Sequence, residues 1–463
     1  MSSVASLVGF CWDRRARLLA VLFVAYALAG CLSITVIMPP FANADEGNHF
    51  MRADAISLGG LIGQRESPDS AGGIIHVTIW RTVKRIYSVL IDRDQRVGWQ
   101  IIGWTYAEQW GTRTRYIQFL NTPVYPPTSY IPTVLGILLG RAADLSVAAT
   151  LLVARGMNAL AYVAIGAVAI AGSGSAAPLL FSVLLLPMSI VQGAAVTQDG
   201  SLIALAAFAA SLVLPCLREQ AVLGRRRTLL LSVALAMLVA GRPPYLPLAI
   251  MPLLLGGTTI RFRLTCVTTI VAVGILWSAT MAIFVMVPLP PDSPMGHIDT
   301  LLQAKLLLQH PAIILSIATR TLLSFAYPFY VEFIGFGDWW FSSSYYATAW
   351  CALLWSILLS LFTPHRTAWW PQAAIITGLV ASASALIFAV CYLTFTRPGE
   401  LDVAGVQGRY FIPLALLIPG MLPGVRIDRR VAQGLALGVV ALFPAISIAT
   451  LLDTIVWRFY VGA

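Results

Sequence analysis

Apolar runs of about 20 residues recur along this chain almost from end to end, separated by short polar or basic turns, and about 20 is the length a helix needs to cross a bilayer core. The candidate segments are 18–38, 125–143, 149–171, 178–196, 199–217, 228–242, 243–258, 264–287, 312–330, 343–363, 369–395, 409–425 and 431–452. Such runs are too long and too uniformly apolar for the alternating strands of a membrane barrel, so the spanning elements are expected to be helices. One stretch breaks the pattern. Residues 39–124 form a large polar loop, with 9 Arg or Lys and 8 Asp or Glu between Pro39 and Asn121. Trp80, Tyr87, Trp99, Trp104, Tyr106 and Trp110 recur among those charges, as in short amphipathic helices lying at a membrane interface. The expected fold is an all-α polytopic integral membrane protein of about 11–13 transmembrane helices. It forms one transmembrane domain over 1–463, with a large first external loop (39–124) carrying interfacial helices.

Basic clusters then set the topology. Arg14, Arg15 and Arg17 precede the first run and place the N-terminus in the cytoplasm. Ala42-Asn43-Ala44 looks like a signal-peptide cleavage site, but the run from Leu18 to Met38 has the length of a span, and a retained first helix is expected. The basic turns Arg218–Arg227 and Arg261–Arg263, together with His365-Arg366 and Arg426–Arg430, should all be cytoplasmic too. That is met only if two segments do not cross. The two best suited are 125–143, broken by Pro126, Pro127 and Pro132, and 312–330, which carries Arg320; both read as re-entrant or interfacial. Eleven crossings remain. This parity gathers Asp45, Glu46, His49, Asp199, Arg242, Glu332, Asp338, Glu400, Asp402 and Arg409 on one outer face.

Composition sharpens the class. With 58% hydrophobic residues, 11% charged residues and a mean hydropathy of +0.81, the chain cannot be a soluble globule. The net charge of +10 sits in clusters at the ends of apolar runs, so it marks topology and no nucleic-acid partner is expected. Cys11, Cys31, Cys216, Cys266, Cys351 and Cys391 lie in or beside apolar runs and read as small buried hydrophobes.

Several polar residues could carry chemistry. If a helix starts at Asp45, then Asp45, His49 and Arg52 fall on one face at i, i+4 and i+7. With Glu46 beside them, they could supply a general base and a phosphate clamp. A divalent cation such as Mg or Mn on Asp45 and Glu46 is an alternative, as is an ordinary solvated helix start. Asp199, in Thr197-Gln198-Asp199-Gly200, reads either as a helix N-cap or as a second acid facing Asp45. Arg242, before Pro243-Pro244-Tyr245, and Arg409, in Gln407-Gly408-Arg409-Tyr410, stand at headgroup depth. There an arginine either binds lipid phosphate or snorkels. No P-loop, GxGxxG, CxxC or HExxH motif occurs.

Taken in order, these pieces resemble a bacterial membrane-protein family, domain of unknown function 2142, which is grouped with the GT-C-type glycosyltransferases. The resemblance rests on Pro40–Arg52, on Asn121-Thr122-Pro123-Val124-Tyr125-Pro126-Pro127, on Gln198-Asp199 and on Arg242–Tyr245. It continues with Phe333-Ile334-Gly335-Phe336-Gly337-Asp338-Trp339 and Gln407–Pro413. Many members carry Pro before Asp-Glu-x-x-His, where this chain has Ala44. The resemblance implies a GT-C-like, inverting enzyme in the bacterial inner membrane with its active face extracytoplasmic. It would move a sugar from a polyprenyl-phosphate carrier to a cell-envelope glycan or lipid. Asp45 or Glu46 would be the catalytic base, with His49 and Asp199 in the same site. Arg52, Arg242, Tyr245, Gln407, Arg409 and Tyr410 would bind the lipid phosphate. The rival expectations are a flippase for lipid-linked saccharides and a non-catalytic envelope-assembly protein.

Overall fold

The computed structural model of the chain describes residues 14–90, 96–288, 298–335, 341–362, 370–425 and 430–461. Asp338 and the rest of Phe336–Trp339 lie outside the described residues, as do His365-Arg366, Arg426–Asp428 and Cys11.

The chain runs between two ends of a helical bundle. One end is marked by Arg218, whose guanidinium donates to Ser175 Oγ and to the carbonyls of Ser360, Pro419 and Leu422. The other is marked by Asp199, held by Arg242 and Arg409. A series of elements lies between them among the described residues. They are α1 (Arg15–Ile37), α6 (Val147–Gly172), a bent pair α7 (Ala177–Leu184) and α8 (Pro187–Ala194), α9 (Asp199–Arg218), α10 (Arg225–Gly241) and a 3₁₀ helix over Pro243–Leu254. Then come α11 (Ile260–Phe284), α14 (Ser343–Ser360), α15 (Trp370–Phe395), a broken stretch with the short α16 (Ile412–Ala415) and α17 (Ile418–Met421), and α18 (Arg430–Val456).

Six of these elements, α1, α6, α9, α11, α15 and α18, are long and apolar enough to cross a membrane unaided. The others are short, bent or 3₁₀, and sequence supplies the reasons. Pro187 holds Leu186 in extended backbone, and α7 and α8 meet at 76°; the Tyr162 hydroxyl takes up the Leu184 carbonyl at the break. Pro243, Pro244, Pro247 and Pro252 strip donors from the next stretch. As a 3₁₀ helix its 12 residues reach about 24 Å, against about 18 Å for an α-helix.

The two segments expected not to cross differ from each other. α5 (Ile131–Ala142) is only 12 residues, and it leads back toward Trp110 of the large loop, over which Arg141 is stacked. α13 (Ile313–Ile334), which follows α12 (Thr300–Gln309), is long and apolar enough for a span, yet it lies along the loop that enters the site. Arg320 pairs with Asp402, Thr321 accepts from the Val403 N–H, and Glu332 accepts from the Gly408 N–H.

The large loop departs from expectation. Beside helices it contains a three-stranded antiparallel sheet in the order β1 (Gln64–Ser67), β2 (Ser70–His76), β3 (Thr114–Gln118). The amphipathic α3 (Val77–Leu90) is present, but its apolar side packs inward: Ile79, Val83 and Ile86 share a core with Phe50 and Met51 of α2 (Glu46–Ser57) and with Ile75 and Ile117 of the sheet. That core buries apolar surface that a purely interfacial helix would give to lipid. In α4 (Trp99–Ala107), Trp99 remains exposed.

Candidate functional site

The site forms where α1 ends. Pro39 and Pro40 stop the helix, and the chain turns through Phe41 and Asp45, both with left-handed backbone (φ 60° and 58°). Asparagine and aspartate tolerate that conformation better than a phenylalanine does, so the turn is strained and needs an anchor. Glu46 provides one. Fully buried, it accepts a two-pronged ion pair from Arg155 on α6, at 2.8 Å (Nε to Oε1) and 2.5 Å (Nη2 to Oε2). It also accepts from Asn43 Nδ2 and the Val196 N–H. Arg155, equally buried, uses its remaining donors on the carbonyls of Thr35, Met38 and Pro39. It thereby satisfies the open end of α1.

This arrangement corrects two expectations. Glu46 presents no oxygen to a substrate, so a catalytic or metal-binding use of it does not fit the geometry. Nor do Asp45 and Glu46 converge on a cation, and among the described residues no three His, Cys, Asp or Glu side chains do so. Arg52 is corrected as well. It is 1% exposed and donates to the carbonyls of Gly60, Leu61 and Tyr125, so it ties α2 to the end of the large loop that enters α5 and is not free to grip phosphate. Burial lowers its pKa to about 10. Tyr245 is buried too and donates to the Tyr410 carbonyl, a bracing role.

Other expected residues do come together. Asp45 precedes the helix instead of lying on its face; it is exposed, and its Oδ1 accepts from Asn121 Nδ2 at 2.8 Å. His49, one turn in, stacks on Tyr125 with ring centroids 5.7 Å apart and places Nδ1 2.6 Å from the Tyr130 hydroxyl. Asp199 does not cap α9 with its side chain. Its Oδ1 instead receives Arg242 Nη2 at 2.7 Å, and Oδ2 lies 3.2 Å from Arg409 Nε. That second contact is ionic only: the Arg409 Nε–H is not aimed at a hydrogen-bond partner. Arg242 also lies 3.9 Å over the Tyr410 ring, a cation–π contact that fixes its plane. Gly408 is required where it is, because a Cβ there would strike the Phe329 carbonyl of α13.

The neighbourhood is electrostatically continuous, since His49 feels the charges of Asp45, Asp199 and Arg409. Burial dominates, however, and lowers its pKa from 6.5 to about 4. The imidazole is therefore neutral above that pH. A buried histidine of this kind binds more protons unfolded than folded between about pH 4 and 6.5. Stability should therefore be full above pH 6.5 and fall by up to about 3 kcal/mol as the pH drops to 4. Melting curves of the detergent-solubilised protein should show that slope, and it should flatten in His49→Gln; an unchanged slope would assign it to other groups.

Two polar features were not singled out from sequence. One is Arg155. The other is Asp54, which is fully buried in α2 and accepts from both the N–H and Nδ1 of His76 at 2.8 and 3.0 Å, locking α2 to the sheet. Ser129 Oγ and the side-chain carbonyl oxygens of Gln198 and Gln407 are buried without hydrogen-bond partners. Groups of this kind mark places where a ligand or water completes the bonding.

No curated protein and no solved structure matches the chain. A family model described as predicted membrane protein (DUF2142) matches residues 28–418, from the middle of α1 through every candidate site residue. The chain belongs to this family of multi-helix membrane proteins.

Proposed function

We propose that the protein transfers a sugar from a polyprenyl-phosphate carrier to a cell-envelope glycan or lipid, at the outer face of the bacterial inner membrane. The observation that carries this reading is the Arg242–Asp199–Arg409 cluster. Two guanidiniums face one carboxylate in a nearly closed setting, so the cluster has an excess positive charge where desolvated cations demand a partner. A phosphate at that point completes the balance. The exposed Asp45, held by Asn121, stands close enough to be felt by His49 together with Asp199.

In the proposed step Asp45 accepts the proton of the acceptor hydroxyl as its oxygen attacks the anomeric carbon. The bond between that carbon and the phosphate oxygen breaks, and its electron pair leaves with the polyprenyl phosphate. Arg409 and Arg242 stabilise the charge of that leaving group. A single displacement inverts the anomeric centre. Neutral His49, fixed between Tyr125 and Tyr130, aligns the pocket without competing for the proton. No metal is assigned a part, because Glu46 is consumed by Arg155.

The test is transfer in proteoliposomes from a radiolabelled polyprenyl-phosphate sugar to an envelope glycan extract. Wild type should form product and release polyprenyl phosphate, and Arg409→Gln should lower kcat/KM about 100-fold. Labelled donor that crosses the bilayer without losing its sugar would make the protein a flippase instead.

A further inference from the structure

An apolar groove of about 540 Å³ opens beside the Asp199 end, between α10 and α11. Val233, Ala236, Met237 and Ala240 form one wall, Val273, Leu276, Trp277 and Thr280 the other, and Ile62 with Pro126–Thr128 closes the top. Its lining is almost wholly apolar. From Ala240 to Val233 the wall descends seven residues of α10, about 10 Å.

The groove shares its upper walls with the polar site. Ala240 is two residues from Arg242, and Pro126 directly follows Tyr125, the ring stacked on His49. The shared edge is also fastened. Trp277 Nε1 donates to the Val124 carbonyl at 3.1 Å, and Arg65 of β1 donates to the carbonyls of Ala282 and Ile283 at the end of α11. The large loop is therefore strapped across the top of the groove, whose wall residue Ala240 is two positions from Arg242 of the paired-arginine cluster. A lone apolar groove in a membrane protein fits any acyl chain. One whose wall lies beside a paired-arginine site fits an amphiphile with a single anionic head and a long hydrocarbon tail.

We infer that the groove between α10 and α11 holds the first isoprene units of the polyprenyl donor while its phosphate lies against Arg242 and Arg409. This rests on the transferase reading for the identity of the donor, and it adds where the tail enters. The tail passes beneath the roof formed by Ile62 and Pro126–Thr128, and the arginines then set the depth of the anomeric carbon.

Undecaprenyl phosphate carrying a diazirine on its second isoprene unit tests this in proteoliposomes of the full chain. The label should attach to Met237, Val273 or Trp277 and be displaced by unmodified undecaprenyl phosphate but not by phosphatidylglycerol. Filling the groove with Val233→Trp or Met237→Trp should cut labelling and raise KM for the long-chain donor about tenfold, with a water-soluble short-chain donor unaffected. Melting curves check that both variants fold, and two separate positions guard against one that does not. Label elsewhere, or displaced equally by phosphatidylglycerol, would overturn the groove assignment. If wild type transfers sugar while the label lies elsewhere, the groove falls and the transferase stands. If the label lies in the groove but no sugar moves, the transferase reading falls and the groove stands.

Discussion

Glu46→Gln should destabilise the protein more than any exchange at an exposed residue of the site. The substitution keeps the shape of the side chain but leaves the Arg155 guanidinium, fully buried, without a counter-charge. Removing one partner of a buried pair costs about 3–5 kcal/mol. Loss of the Arg155 fork would also loosen its bonds to Met38 and Pro39, and with them the strained turn at Phe41 and Asp45. The expected result is a melting midpoint lowered by several degrees in detergent. Glu46→Gln combined with Arg155→Met should recover part of that loss, because no buried charge then stands alone. A Glu46→Gln midpoint equal to wild type would show that the pair does not anchor the turn.

The neighbouring residue should give the opposite result. Asp45→Asn should abolish transfer from the polyprenyl-phosphate donor, by a factor of about 10²–10⁴ in kcat, while melting as wild type does. Asparagine accepts the left-handed backbone at this position and can still meet Asn121, and an exposed carboxylate contributes little to stability. KM for the donor should change little, because the arginines that hold its phosphate are untouched. Turnover like that of wild type would remove Asp45 from the mechanism. Measured together, the two variants divide adjacent acids into one that works on substrate and one that holds the fold.

Much of the architecture was legible from hydropathy and charge. Recurrent apolar runs announced a polytopic helical protein, and Pro126, Pro127 and Pro132 marked the segment that forms only the short α5, whereas α13 keeps the length and hydropathy of a span despite Arg320. Parity drawn from basic turns brought Asp199, Arg242 and Arg409 to one end, where the structure places them in contact. The sheet was not legible. Gln64–Ser67 has no apolar alternation and Ser70–His76 begins with Ser-Ala-Gly-Gly, so neither carries the period-two signal of a strand. The backbone of 243–258 was not legible either: the segment stood among the apolar runs, but its prolines make Pro243–Leu254 a 3₁₀ helix.

The split between Glu46 and Asp45 was illegible for a physical reason too. Local spacing placed both acids, His49 and Arg52 on or near one helical face, and nothing in that stretch says which acid is already paired. The partner of Glu46 lies 109 residues away, in the middle of an apolar run where a lone arginine gives no sign of its contact. Arg52 likewise looks like a surface cation until the carbonyls of Gly60, Leu61 and Tyr125 close around it.

The Arg155 anchor also imposes an order on biosynthesis. When α1 and the large loop leave the ribosome, the carbonyls at the end of α1 and the Glu46 carboxylate have no partner, because the residue that satisfies them emerges about a hundred positions later and Val196 later still. The large loop can form its sheet early, from residues 64–118, but it cannot be seated on the helical bundle until α6 is in place and the chain has passed α8. Translation therefore delivers a tethered, half-docked domain first, and the site around Asp45 takes its shape only when α6 and the chain through Val196 close against it.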